Sequence, residues 1–130
     1  MKKKCKTAPS GPPALGPYSH AVAAGDFLFV SGQGPFARDG SGLVRGDFEA
    51  EARATLENLK TVLEECGSSL KRVVKTTVFL TDMGRFKEFN GIYAEYFGED
   101  PPARSCIQAA ALPGGINVEV EAVALLKKGD

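Results

Sequence analysis

Alternation of apolar and polar side chains marks the end of the chain as a β-strand. From Asn117 to Leu125 one face is wholly apolar, and the other carries two carboxylates on an otherwise hydrophobic segment. An unpaired carboxylate is costly in such a setting, so Glu119 and Glu121 require a compensating partner. The apolar face consists of Val118, Val120, Ala122 and Ala124.

A second extended segment comes shortly before this strand. It begins at Pro101 and Pro102, which cannot donate a backbone hydrogen bond and therefore keep the chain out of a helix. Arg104 and Cys106 follow at the two-residue spacing that puts both side chains on one face of a strand. The sequence thus predicts an arginine on one strand and two carboxylates on another.

Two segments have the spacing of amphipathic helices. The first is predicted from near Asp47, an acceptable N-cap, to Gly67, and the second from about Arg85 to Phe97 with Asp82 as a cap and Gly98 as its end. Both carry an apolar stripe that we assign to the core. The stripes are Ala52, Leu56, Leu59, Leu63 and Cys66 in the first helix, and Phe86, Phe89, Tyr93, Tyr96 and Phe97 in the second.

Shorter apolar runs predict the remaining strands. His20 to Ala23 and Phe27 to Gln33 are joined by a tight Gly25-Asp26 turn, Val73 to Leu80 is rich in β-branched residues, and a further short strand is expected near Leu43-Val44. The order is β-β-(β)-α-β-α-β-β. It predicts an α+β fold in which one mixed sheet packs against two helices on one face.

The opposite face of this sheet has no predicted cover. Leu28, Val30 and the strand that begins at Val73 are too hydrophobic to face solvent. We therefore expect subunits to associate across that face, in a closed ring.

Length and charge narrow the class of protein. The chain has 130 residues, of which 43% are hydrophobic, which predicts a single domain over residues 1–130 with an extended, proline-rich N-terminal arm at residues 1–15. Sixteen basic residues balance sixteen acidic ones, so we expect neither a nucleic-acid nor a membrane partner. The lysines at positions 2, 3, 4 and 6 precede no apolar segment and do not form a signal peptide.

The cysteines indicate a reducing environment. Cys5, Cys66 and Cys106 are an odd number at wide spacings, which fits neither a disulfide framework nor a zinc site, so a cytoplasmic location is expected. No phosphate-binding glycine loop, metal-binding helix motif or paired-cysteine motif occurs. We expect no cofactor and no metal.

Candidate chemistry centres on Arg104. Its guanidinium fork suits either an ion pair with Glu119 or Glu121 or the binding of an anionic ligand, and spacing alone favours the ion pair. Cys106 with His20, the only histidine, forms a formally possible nucleophilic pair, although an unreactive cysteine is the simpler interpretation.

Two further segments have open roles. Tyr18 either faces a site or packs on the core, and the core is the simpler interpretation. Ser31-Gly32-Gln33 either brings a backbone N–H to a ligand or only bends the strand.

Several motifs in order resemble one family. They are Gly16-Pro17-Tyr18-Ser19, Ser31-Gly32-Gln33, Glu57-Asn58-Leu59, Val74-Lys75-Thr76-Thr77-Val78, Phe89-Asn90 with Tyr93, Pro102-Ala103-Arg104-Ser105 and Val118-Glu119-Val120-Glu121. Together they resemble the Rid family of reactive intermediate deaminases, RidA subgroup, also called the endoribonuclease L-PSP family. The resemblance spans Gly16 to Leu125. It implies a homotrimer of chorismate-mutase-like α+β subunits whose sheets face inward, with three sites between subunits.

The resemblance also implies an activity and roles for residues. The family hydrolyses 2-imino acids, such as 2-iminobutanoate and 2-iminopropanoate, to 2-keto acids and ammonia, with no metal and no covalent step. Arg104 is implied to bind the substrate carboxylate, Glu119 to activate the water, and Tyr18 to close the pocket from the neighbouring subunit. Ser31, Gly32, Asn90 and Cys106 are implied to complete the pocket, Gly32 and Cys106 through their backbone.

Two departures and two rival functions accompany the resemblance. His20 stands where many relatives have glutamine, and residues 49–55 lack the glutamines often found there. A ribonuclease is one rival, which the single histidine and the absence of a basic stripe argue against. A non-catalytic trimer that binds small carboxylates, or a chaperone-like protein, is the other.

Overall fold

A computed structural model describes residues 2–44 and 46–127 of the chain. A six-stranded sheet packs against two helices, and short 3₁₀ turns cover Leu70–Arg72, Met83–Arg85 and Pro113–Gly115. The main elements are β1 (Lys4–Lys6), β2 (Ala21–Ala24), β3 (Phe27–Gln33), α1 (Phe48–Glu65), β4 (Val73–Leu80), α2 (Phe86–Phe97), β5 (Ala103–Gln108) and β6 (Val118–Leu125).

The sheet is mixed, as the sequence predicts. Its strand order is β1-β2-β3-β6-β4-β5, and neighbouring strands are antiparallel except for the parallel pair β4 and β5. The parallel pair is connected through α2, which covers the same face of the sheet as α1. The predicted α+β class and the placement of both helices on one face are confirmed.

Helix α1 follows its sequence signals closely. The Asp47 carboxylate accepts a hydrogen bond from the Ala50 N–H at 3.0 Å, and Glu49 and Glu51 occupy the first turn, where negative charge is favourable. Every residue of the predicted stripe is at most 1% exposed. The helix ends just before Gly67, whose φ of 98° suits glycine.

Helix α2 starts one residue later than predicted, and its buried face includes a slightly different set of residues. Asp82 caps the preceding 3₁₀ turn through the Gly84 N–H, and the helix begins at Phe86. Phe86 is 36% exposed because it lies at the helix start beside the edge strand β5, so its predicted core position is wrong. Ile92 is buried instead, together with Phe89, Tyr93 and Phe97.

Two short strands differ from expectation. Lys4–Lys6, predicted as part of an arm, form β1 and pair antiparallel with β2. The expected strand near Leu43-Val44 is a single bridge between Phe36 and Leu43. A free sheet edge at β2 supplies the partner that makes β1 a strand, which the local sequence does not reveal.

One sheet face is uncovered in the chain, but it carries different residues from those predicted. Leu28 and Val30 are 0% and 5% exposed beneath the helices, so their assignment to the open face is wrong. The open face carries apolar side chains that are between 38% and 49% exposed: Phe27, Phe29, Ile107 and Leu125. None of the helices in residues 2–44 and 46–127 is long and apolar enough to cross a membrane.

Candidate active site

A cleft of about 480 Å³ opens where the N-terminal arm meets the ends of β3 and β6. Its lining brings together four of the residues singled out in the sequence: Tyr18, Ser31, Gly32 and Glu119. Glu121 also lines the cleft, from the open sheet face. The four residues are called the first half-site below.

Glu119 is the acid of this cleft, and glycine at position 32 makes room for it. A β-carbon on residue 32 would lie 2.7 Å from Glu119 Cδ, closer than any side chain tolerates. Glu119 is half-buried, and burial, followed by the negative charge of Glu121, raises its pKa above the usual glutamate value. A carboxylate with a raised pKa is a stronger base when ionised.

Tyr18 makes a hydrogen bond within the arm, and Ser31 ties the arm to the sheet beside this acid. The Leu15 N–H donates to the Tyr18 hydroxyl at 3.0 Å, and Ser31 Oγ donates to the Ser19 carbonyl at 2.6 Å. Tyr18 remains 45% exposed, so it does not pack into the core. Its ring instead forms part of the cleft wall.

Arg104 lies on the other side of the sheet. Its strand neighbour is the buried Thr76, and its guanidinium carbon is 4.9 Å from the ring centre of Tyr93 and 5.5 Å from that of Phe86. Nη1 donates to Asn90 Oδ1 at 2.8 Å, the one side-chain hydrogen bond of Arg104 within the described chain. The rest of its planar fork is free to bind a carboxylate.

The ion pair favoured by spacing does not form. Glu119 and Glu121 are opposite Phe79 and Thr77 on β4, on the open face, whereas Arg104 points toward α2. Alternation along each strand therefore separates the arginine from both acids. This correction leaves anion binding as the interpretation of Arg104 that the geometry supports.

The Cys106 and His20 pair is also ruled out by geometry. His20 Nδ1 accepts the Ala8 N–H at 2.8 Å, and Nε2–H donates to the Pro12 carbonyl at 2.9 Å, so both ring nitrogens bind backbone. Cys106 is half-buried near Arg104, and burial raises its thiol pKa, opposed by the Arg104 charge. Its thiol is therefore a poor nucleophile at neutral pH.

Arg104, Asn90 and Cys106 form a second group, called the second half-site below. They share the α2 side of the sheet end at β5, and none of the three lines the cleft that holds Glu119. One chain thus carries an acid in a cleft and an arginine with a free fork in a separate place.

Two residues of the motifs listed above, Asn58 and Tyr93, support the half-sites in ways that the sequence did not predict. Buried Asn58 donates from Nδ2 to the carbonyls of Gly34 and Phe36, both at 2.9 Å, and so fixes the cleft wall. Tyr93, whose hydroxyl is 2.7 Å from that of Thr76, was assigned only to the core. Asn90 at helical spacing from Phe86 and Tyr93 was the available signal for an arginine-binding surface.

Comparison with known proteins decides the family. The sequence profile described as Endoribonuclease L-PSP matches residues 8–126. The chain belongs to the endoribonuclease L-PSP family. The family-level resemblance inferred from the motifs is therefore confirmed, and membership of this family, the Rid proteins, supports a general role in the deamination of reactive intermediates.

Individual relatives of the L-PSP family cover nearly the whole chain. A RutC family protein of Pyrococcus horikoshii is 45% identical over 115 residues, which cover 88% of this chain and 91% of the relative. The Rid family protein YyfA from Yersinia pestis superposes with a TM-score of 0.91 at 39% identity, covering 96% of this chain and all of YyfA. E. coli TdcF with bound serine gives a TM-score of 0.89 at 36% identity, covering 95% and 99%.

Proposed function

We propose that the protein is a deaminase of the RidA subgroup, which hydrolyses 2-iminobutanoate and 2-iminopropanoate to 2-keto acids and ammonia. The observation that carries the proposal is that the first half-site holds an acid and the second holds an arginine. Glu119 supplies a half-buried base, and Arg104 supplies a carboxylate-binding fork held by aromatic rings and Asn90. A 2-imino acid needs both groups, one for its carboxylate and one for the attacking water.

The two half-sites are proposed to belong to facing subunits of a homotrimer. The open sheet face, with Phe27, Phe29, Ile107 and Leu125, is apolar enough to be an interface, and closure of a ring removes it from solvent. Each cleft then receives Arg104 from a neighbour. In this arrangement Tyr18 and Glu119 come from one chain and Arg104 from the next, whereas the resemblance alone implied that only Tyr18 crosses the interface.

The proposed reaction uses ordinary acid–base steps. Arg104 binds the substrate carboxylate through two parallel N–H bonds, and Glu119 accepts a proton as water attacks the C=N carbon. Glu119 returns that proton to the nitrogen, which gives a carbinolamine. Glu119 then takes the hydroxyl proton and passes it to the nitrogen as the C–N bond breaks, so that the carbonyl forms and ammonia leaves. The reaction consumes one water and gives one 2-keto acid and one ammonia.

The other pocket residues have supporting roles. Tyr18 and Ser31 hold the cleft wall, and the backbone of Gly32 and Cys106 faces the substrate in the joined site. The bound serine of TdcF, a relative with 36% identity, supports a ligand of this size and charge. A cytoplasmic location is proposed with this function, because Cys5, Cys66 and Cys106 are all free.

The rival functions have less support. A ribonuclease needs side chains free for acid–base work on RNA, and both nitrogens of His20 are bonded to backbone. A non-catalytic carboxylate-binding trimer needs Arg104 and not Glu119. The comparison of variants at these two positions separates that alternative from the deaminase.

A coupled assay tests the proposal. Threonine dehydratase releases 2-iminobutanoate, and semicarbazide trapping reports its lifetime in the presence of wild type, Arg104→Ala or Glu119→Gln. We expect the wild type to shorten the lifetime and both variants to have no effect. No effect by wild type, with 2-ketobutyrate binding that still requires Arg104, contradicts catalysis and favours the carboxylate-binding trimer.

A further inference from the structure

The N-terminal arm forms one wall of the cleft that holds Glu119. Pro12, Pro13, Leu15 and Tyr18 all line that cleft, and Leu15 is 64% exposed. Phe36 and Pro113 add further apolar side chains to the lining. No lysine or arginine is among the cleft-lining residues of the described chain, so the space beside Glu119 is bounded by apolar side chains, acids and the polar side chains of His20, Ser31 and Gln33.

The position of this wall depends on one side chain, His20. The ring is 8% exposed and joins two points of the arm, since Nδ1 accepts from the Ala8 N–H and Nε2–H donates to the Pro12 carbonyl. The donor and acceptor pattern requires the neutral ring with its proton on Nε2. His20 itself precedes β2, so these bonds fix the arm to the sheet.

Other contacts hold the arm upstream of the wall and, through the bond of Ser31 Oγ to the Ser19 carbonyl, just after it. The Ser10 N–H donates to Glu65 Oε1 of α1 at 2.8 Å, and β1 pairs with β2. Two side-chain hydrogen bonds hold the arm between Pro12 and Tyr18: His20 donates to the Pro12 carbonyl, and the Tyr18 hydroxyl accepts from the Leu15 N–H. No further side chain of the described residues hydrogen-bonds this stretch. His20 is therefore the last fixed point before the apolar wall.

We propose that the arm residues Pro12, Pro13 and Leu15 set substrate specificity by binding an extended apolar side chain of the 2-imino acid, and that His20 is the positioning residue for this wall. The inference rests on the proposed function and adds a substrate class to it. The cleft of a single chain, about 480 Å³, is in the range of small-molecule sites, and the residues that line it on the arm side are apolar. Imines derived from leucine, methionine or phenylalanine fit the apolar lining better than polar ones.

Two measurements test this proposal. An amino-acid oxidase generates the imine of leucine or of 2-aminobutyrate, and kcat/KM is measured on each with wild type, Leu15→Ser, His20→Ala and His20→Gln. Binding of 4-methyl-2-oxopentanoate and 2-oxobutanoate by calorimetry gives the same comparison without catalysis. Ala14→Ser is the matched control, because Ala14 is exposed on the same arm and does not line the cleft.

We expect Leu15→Ser and His20→Ala to lower the ratio of long-chain to short-chain kcat/KM by about fivefold to tenfold, through KM, as expected for losing most of one apolar contact. Ala14→Ser keeps the wild-type ratio, and His20→Gln restores it because an amide also has one acceptor and a donor. A ratio unchanged within twofold in both Leu15→Ser and His20→Ala overturns the proposal. A structural defect in His20→Ala lowers kcat/KM for both substrates equally and leaves their ratio unchanged. The ratio therefore separates such a defect from a loss of specificity.

The two proposals fail in different ways. If the wild type hydrolyses no imine, the proposed function is wrong, and the calorimetric ratio still decides whether the arm binds apolar chains. If the wild type is active but prefers 2-iminobutanoate in every variant, only the specificity inference is wrong.

Discussion

The carboxyl of Glu119 rests against the backbone of Gly32, with Cδ 2.7 Å from where a β-carbon on residue 32 would be. Because β6 and β3 are neighbours in the sheet, the acid and the glycine are held by paired strands and not by a loop. The position of the proposed base is therefore set by the absence of one side chain on the next strand.

Gly32→Ala is expected to displace Glu119 and lower kcat at least about tenfold, since small shifts of a catalytic group have large effects on rate. Binding of 2-ketobutyrate to Arg104 should change much less. Steady-state kinetics and calorimetry measure the two effects. Gly91→Ala is the control, because nothing lies within 4 Å of its β-carbon position on α2, and alanine there should raise stability by about 0.5–1 kcal/mol.

Glu119 should shift the acid limb of the pH–rate profile to higher pH than an ordinary glutamate gives. Burial and then Glu121 raise its pKa, so the folded protein holds this proton more tightly than the unfolded chain. Ionised Glu119 therefore destabilises the fold, and the stability associated with its protonated form is lost as pH rises from the ordinary glutamate range through the raised pKa. Activity, which needs the ionised form, should fall on acidification at a higher pH than an ordinary glutamate gives.

Glu121→Gln isolates the second cause of this shift. Removing the neighbouring charge should move the acid limb of the pH–rate profile to lower pH, while burial keeps it above the ordinary glutamate range. Glu64→Gln, an exposed carboxylate on α1, serves as the control. An acid limb that stays in place in Glu121→Gln would show that the Glu121 charge does not contribute to the pKa of the titrating group.

Arg104 should tolerate no replacement by lysine. A lysine keeps the charge but loses the planar fork and its stacking on Tyr93, so KM for the imine should rise about tenfold to a hundredfold in Arg104→Lys. Asn90→Ala should raise KM in the same direction by a smaller factor, since Asn90 holds Nη1. Near wild-type KM in Arg104→Lys would contradict the bidentate role.

The thiols should react in an order that excludes a cysteine nucleophile. Cys5 is exposed, Cys106 is half-buried with a raised pKa, and Cys66 is buried with a raised pKa. A maleimide at pH 7 should therefore label Cys5 first, Cys106 at least about tenfold more slowly, and Cys66 only after unfolding. Rapid labelling of Cys106 that matches the loss of activity would revive nucleophilic catalysis.

The elements whose local pattern is strong were predictable from the sequence. Asp47 followed by an apolar stripe predicts α1 because the cap and the 3.6-residue period agree, and alternation in β6 separates its two acids from its core face. The short β1 has neither signal. It exists because β2 offers an edge to pair with.

The sidedness of strands was not predictable where both faces are apolar. In β3, Phe27 and Phe29 alternate with Leu28 and Val30, so the pattern does not say which pair lies under the helices. For Arg104 the pattern predicts that it shares a face with Cys106, but its parallel pairing with Thr76 decides that this is the α2 side. The separation of Arg104 from Glu119 is thus a property of the sheet and not of either strand.

Mixed oligomers test most directly that the two half-sites come from different chains. Arg104→Ala and Glu119→Gln, each expected to be inactive alone, are refolded together in equal amounts under two different tags. In a ring where each site takes Glu119 from one subunit and Arg104 from the next, random mixing should restore about one quarter of wild-type activity. If the mixture stays as inactive as either variant, while purification through both tags shows that mixed oligomers form, each chain must carry its own complete site.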